Sequence, residues 1–151
     1  MKIDPLAFPA DIRRLEVLSI QDDGANTLCV TTAHCHTGPP EATVVGMASP
    51  IIWDENSDIW RFTWRRYVSV LILNESYAVG DPSEPPPQQR LRQANHEPFL
   101  PFSRKVTWAN DAHLGPLALW ELGSLNHIVQ VVTSSAPEVE RLTVGELNSL
   151  G

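Results

Sequence analysis

Positive charge is scarce in this chain and scattered where it occurs. Eleven Lys and Arg stand against 18 Asp and Glu, for a net charge of −7. Six of the cations come as short pairs, Arg13-Arg14, Arg65-Arg66 and Arg104-Lys105, and the eleven form no stripe. Nucleic acid and anionic membranes both reward clustered Lys and Arg, so neither is an expected partner. Cysteine is equally sparse: Cys29 and Cys35 alone cannot build a disulfide framework. On one strand, six residues apart, they would lie about 20 Å from each other, which predicts reduced thiols. Long apolar runs are missing too. The longest, Val68–Leu73, is interrupted by Ser69, against the ~18 residues a membrane-spanning helix requires. The segment MKIDPLAFPADIRR has an acid and two prolines where a signal peptide needs an apolar core. A soluble, cytoplasmic protein is the expectation.

Catalytic signatures are absent as well. There is no phosphate-cradling GxGxxG or GxxxxGK[ST], and no GxSxG nucleophile elbow. Asp54-Glu55-Asn56-Ser57-Asp58 starts like a calcium loop, but Ile59 stands where the glycine belongs and Arg65 where the bidentate Glu belongs. A solvated turn explains it. His96-Glu97 resembles the opening of a zinc-protease helix, yet Pro98 follows and Leu100 occupies the second histidine's place.

What the chain does contain is a core. Of its 151 residues 42% are apolar, five of them Trp, and a domain of this length buries roughly 68–70% of its unfolded surface. One domain spanning residues 1–151 is the expectation. The clearest signal runs from Asp58 to Tyr77. Trp60, Phe62 and Trp64 alternate with Arg61, Thr63 and Arg65, the period of a half-buried strand. Residues 67–73 are then apolar on both faces, as in a strand covered on both sides. The break at Arg65-Arg66 predicts a tight turn or bulge.

Leu15–Ile20 and Thr27–Cys35 read as a first hairpin about Asp22-Asp23-Gly24-Ala25-Asn26, whose residue types tolerate a reversal. Leu117–Leu122 and His127–Thr133 form a second about Gly123-Ser124, and Thr43–Met47 a short strand between two proline loops. Residues 80–101 hold six prolines and predict a long, mobile or functional loop. Ser103 can cap a helix over Ser103–Leu114 that Gly115-Pro116 ends. Ser135-Ala136-Pro137-Glu138 has the form of a capping box, which places a short helix over Pro137–Leu142. The expected fold class is α+β: an antiparallel sheet of hairpins packed by one internal and one C-terminal helix.

Three groups of residues carry candidate chemistry. His34 and His36 share a strand face and could reach one metal ion, but a third ligand would have to come from an unrelated segment, and outward imidazoles on a sheet edge explain them equally. No metal or other cofactor is expected. Trp60 and Trp64 could line a ligand groove or an interface; aromatics at period two more often form core, here under a helix carrying Trp108. Glu75 and His127 each end an apolar strand face. If the strands are neighbours, the two meet at a sheet rim with Arg66 and Asn74, a place for a general base and an anion-holding cation, or for a structural hydrogen bond. The leading expectation is a non-catalytic binding module that contacts another protein, or itself, by a sheet edge or the aromatic face. The alternatives are a small enzyme or a ligand carrier with a pocket near Glu75 and His127.

Overall fold

The alternating strand Ile59–Arg65 does not continue into the next one; it hands the chain to a different sheet. Arg66 makes the crossing in the left-handed region, φ 55°, a conformation uncommon for a residue with a side chain. The structure, a computed structural model, describes residues 1–150. In chain order the first strands are β1 (Lys2–Ile3), β2 (Leu15–Asp22), β3 (Thr27–His34) and β4 (His36–Thr37). They are followed by β5 (Glu41–Thr43), β6 (Gly46–Ala48), β7 (Ile51–Ile52), β8 (Ile59–Arg65) and β9 (Ser69–Asn74). Then come β10 (Leu91–Gln93), helices α1 (Phe99–Val106) and α2 (Asp111–Leu114), β11 (Ala118–Gly123), β12 (His127–Thr133), β13 (Glu138–Leu142) and α3 (Val144–Asn148).

Two antiparallel sheets dominate. The larger has the order β1-β13-β8-β3-β2, the smaller β10-β11-β12-β9. One buried cluster joins their facing sides: Val30, Phe62 and Trp64 from the first, Trp120, Val129 and Val131 from the second, with Phe8 of the N-terminal lead-in between. Phe8 meets Trp60 edge-on at 5.1 Å between ring centres, a favoured aromatic geometry. The fold is thus α+β with a sheet-dominated core. Part of each sheet's outer side is covered as well. Leu100 of α1 packs with Leu119 and Val132 on the smaller sheet, and Leu147 of α3 against Ile59 and Leu142 on the larger.

Both predicted hairpins form, β2–β3 with a bulge between Val17 and Ser19, and β11–β12 in unbroken register. The first turns through Gly24 and Asn26, both at positive φ. Four expectations are corrected. Pro137–Leu142 is not a helix: Glu138–Leu142 is β13, seated between β1 and β8. Its Glu138 and Glu140 meet Lys2, Arg65 and Arg61 across the sheet, and those pairings with the burial of Val139 outweigh a local capping signal. The capping box that does form is Thr143 with Glu146, one element later, opening α3.

The helix expected over Ser103–Leu114 begins earlier and breaks. α1 starts at Phe99, where Pro98 and Pro101 fall at positions a first turn accepts. Ser103 is no cap; it is buried, its Oγ bonded to Ser69 Oγ. The chain leaves the helix at Thr107, and Asn110 restarts it by accepting from the Ala112 and His113 N–H groups. Trp108 falls in the gap and is exposed, so it covers no core. Residues 80–101 are likewise not one loop, since β10 and the start of α1 lie within them. Thr43–Met47, finally, is a hairpin, β5 against β6 with Val44-Val45 at its tip.

Candidate functional site

Among the described residues, the structure separates most of the groups that sequence reasoning hoped to unite. His34 ends β3, while His36 lies in β4, which pairs with β7 in another sheet and sets its Nε2 3.3 Å from Asp54 Oδ2. No three His, Cys, Asp or Glu side chains among the described residues form a metal-binding group. Trp60 and Trp64 are 3% and 0% exposed, so they belong to the core and present nothing to a ligand or partner.

Asn74 and His127 do face each other across β9 and β12, and the Glu75 N–H donates to the Asn126 carbonyl at 3.2 Å. The neighbourhood predicted for Glu75 and His127 therefore exists in the backbone. Their side chains do different things. Asn74 caps the single 3-10 turn Glu75–Tyr77 by accepting from the Ser76 N–H, and Glu75 is exposed. The imidazole Nδ1 of His127 is buried with no hydrogen-bond partner among the described residues. Arg66 sits at the other end of β9. Nine residues at about 3.3 Å each put it roughly 30 Å of chain away from Glu75, so it cannot complete that site within one molecule.

One residue pair inward, on the opposite side of the same sheet, lies a cavity of about 370 Å³. Leu73 and Ile128, the cross-strand pair next to Asn74 and His127, form its apolar wall. Val79 and Pro85–Pro87 of the proline-rich segment close it. That segment is tied down at its far end: Gln89 Nε2 donates to the Phe8 carbonyl at 3.1 Å and Arg90 Nε to the Arg13 carbonyl at 2.8 Å.

The polar lining is a row of cross-strand neighbours. Arg92 on β10 pairs with Glu121 on β11, and Glu121 with Gln130 on β12. The Arg92 guanidinium reaches one carboxylate oxygen of Glu121 with two donors, Nε at 3.0 Å and Nη2 at 2.7 Å. Gln130 Nε2 donates to the other oxygen at 2.7 Å. Glu97 adds a second carboxylate 3.9 Å from Arg92. Glu121 and Gln130 are both buried. Burying such a pair gains little stability over apolar residues of similar volume. With both oxygens engaged and the backbone fixed on both sides, Glu121 is a rigid acceptor. The lining carries four carboxylates (Asp81, Glu84, Glu97, Glu121) against one guanidinium, Arg92.

Sequence reasoning missed this row, although part of its signal was present. Glu121 interrupts Ala118–Gly123 and Gln130 interrupts His127–Thr133, each the one strongly polar residue amid apolar neighbours in mid-strand. Pairing the hairpin brings the two opposite each other. Arg92 gave no such signal, because β10 is three residues long.

A larger groove, about 800 Å³, lies on the outer side of the five-stranded sheet. Its Lys2, Arg61, Arg65, Glu138 and Glu140 already pair with one another, Arg61 to Glu140 and Arg65 to Glu138 both at 2.6 Å. Glu138 is held below its ordinary value by the Arg65 hydrogen bond and then by Lys2. Those pairs, exposed or half-buried, explain the groove as a solvated sheet face.

The site thus belongs to a two-sheet α+β protein whose smaller sheet carries a roofed row of polar groups. Compared with protein families, with curated proteins and with solved structures, the chain matches none. No described helix is long and apolar enough to cross a membrane.

Proposed function

We propose that this protein is a non-catalytic binding module, and that it holds a small organic molecule between the outer face of its four-stranded sheet and the proline-rich segment. The observation that carries this reading is the Arg92–Glu121–Gln130 row beside the apolar wall of Leu73 and Ile128. Ligand sites combine mostly apolar walls with a few fixed polar groups, in volumes from roughly 300 to 1,000 Å³. The surplus of carboxylates favours a ligand with a protonated amine or guanidinium and an apolar body. Proline walls suit this role, since they lose little conformational entropy when a ligand settles against them.

Thermal-shift measurements with phenethylamine and agmatine as probes test the proposal. Saturating ligand raises the unfolding free energy as concentration exceeds Kd, by about 2.7 kcal/mol at a hundredfold excess. The wild type is expected to shift upward, and Glu121→Gln to lose most of that shift while remaining folded. Equal shifts in both proteins, or none in either, would reject the cavity as the site.

A contact with protein is the second reading, supported by the β5–β6 hairpin. Val44 and Val45 at its tip are 103% and 93% exposed, and Met47 beside them is exposed as well. Apolar side chains so fully in water are what a partner surface would cover.

A further inference from the structure

The two main sheets have four edges between them, and three are guarded. β1 is two residues long. β2 carries a bulge between Val17 and Ser19, and the Asn126 side chain binds both the N–H and the carbonyl of its Val17. β10 is three residues long, with Arg92 at its centre. Shortness, bulges, charges and cover are the devices by which sheet edges avoid unwanted pairing. β9 has none of them. It runs six residues, Ser-Val-Leu-Ile-Leu-Asn, without charge, proline or bulge, in unbroken register with β12. Ile72 and Leu73 on it are 45% and 36% exposed.

The charges beyond its two ends differ in sign. Arg66 precedes β9 and Glu75 follows it; both are exposed, and neither forms an ion pair among the described residues. Within one chain they stand at opposite ends of the strand. Two copies of the strand laid antiparallel about a two-fold axis bring the Arg66 end of each beside the Glu75 end of the other. Such a contact is self-complementary by symmetry, using one patch twice. An unrelated strand would have to supply these matching charges separately.

We propose that β9 pairs antiparallel with β9 of a second copy, joining two four-stranded sheets into one of eight strands and matching Arg66 with the partner's Glu75 at both ends. The contact uses the free edge and leaves the cavity lining in place, so it stands whether or not the cavity binds a ligand.

Sedimentation velocity from about 10 to about 300 μM protein tests it, a range that covers weak dimers. The wild type is expected to dimerise. Ile72→Lys and Arg66→Glu are each expected to raise the dissociation constant at least tenfold, and the double variant Arg66→Glu/Glu75→Arg to restore it toward wild type. Circular dichroism and Tm establish that each variant is folded. Should Ile72→Lys fail to fold, the charge reversal and its restoration still decide the matter, because both positions are exposed. A protein that stays monomeric over the whole range overturns the proposal. So does a dimer indifferent to both substitutions, whose contact must lie elsewhere.

Discussion

Gln130 donates to Glu121 across β11 and β12, 2.7 Å from amide nitrogen to carboxylate oxygen, while Arg92 holds the other oxygen from β10. Three strands thereby share one polar row in an otherwise apolar sheet. Its members depend on one another, because removing one leaves a buried charge or dipole without its partner. Glu121→Ala is expected to cost on the order of 3 kcal/mol, and the double change Arg92→Met/Glu121→Leu distinctly less. Urea unfolding of the set measures both. A double variant as damaged as the single one would show that packing, not charge pairing, governs the row.

Asn126 ties the sheets together. Its side chain accepts from the Val17 N–H at 2.9 Å and donates to the Val17 carbonyl at 3.0 Å, so the β11–β12 turn is bonded to β2 of the other sheet. Asn126→Ala strands both backbone groups at a buried residue, and a loss of about 2 kcal/mol is expected. A change below ~0.5 kcal/mol in chemical denaturation would mean that water takes over both bonds.

Cys35 is buried, and its thiol is pushed up to about 11 from 9.0, first by desolvation and then by the charge of Glu16. Because the folded value lies above the unfolded one, this group's contribution to stability is complete below 9.0 and is lost as pH rises toward 11. Iodoacetamide at about pH 8 is expected to label Cys29 well ahead of Cys35, since the thiolate is the nucleophile. Mass spectrometry of the native protein reads the two sites, and equal labelling would count against the burial.

Glu138 presents the opposite sign. Its carboxyl is held below 4.5 by Arg65 and then Lys2, so its stabilising effect is present above 4.5 and lost as pH falls through the lower folded value. The group is exposed, and the effect is small and screened by salt. The Tm gap between wild type and Glu138→Gln is expected to close between about pH 5 and about pH 3 at low salt. A gap that stays constant across that range would remove Glu138 as its source.

Local pattern identified the elements whose own residues are sufficient. The alternation of Trp60, Phe62 and Trp64 predicts a strand because every second side chain must be buried on one face. Gly24 and Asn26 predict a turn because few residues tolerate positive φ. Pattern failed where partners decide. Glu138–Leu142 follows a helix-start signal, yet it is a strand because β1 and β8 offer its backbone and its acids better partners. Ser103 looked like a cap and is buried against Ser69, and Trp108, expected on a helix over the core, falls exposed in the break between two helices.

The candidate site divides in the same way. The sequence by itself determined the chain's acidity, its hairpins, its aromatic core strand and the positions of Glu121 and Gln130 in mid-strand, because each depends only on residue type and local period. Only the tertiary structure decided that β8 and β9 belong to different sheets, that Arg66 stands far from Glu75, and that Arg92 completes a polar row beneath the prolines. Those relationships depend on which strands pair and which face each side chain takes. Pairing is set by long-range burial and hydrogen bonding, to which no short stretch of sequence has access.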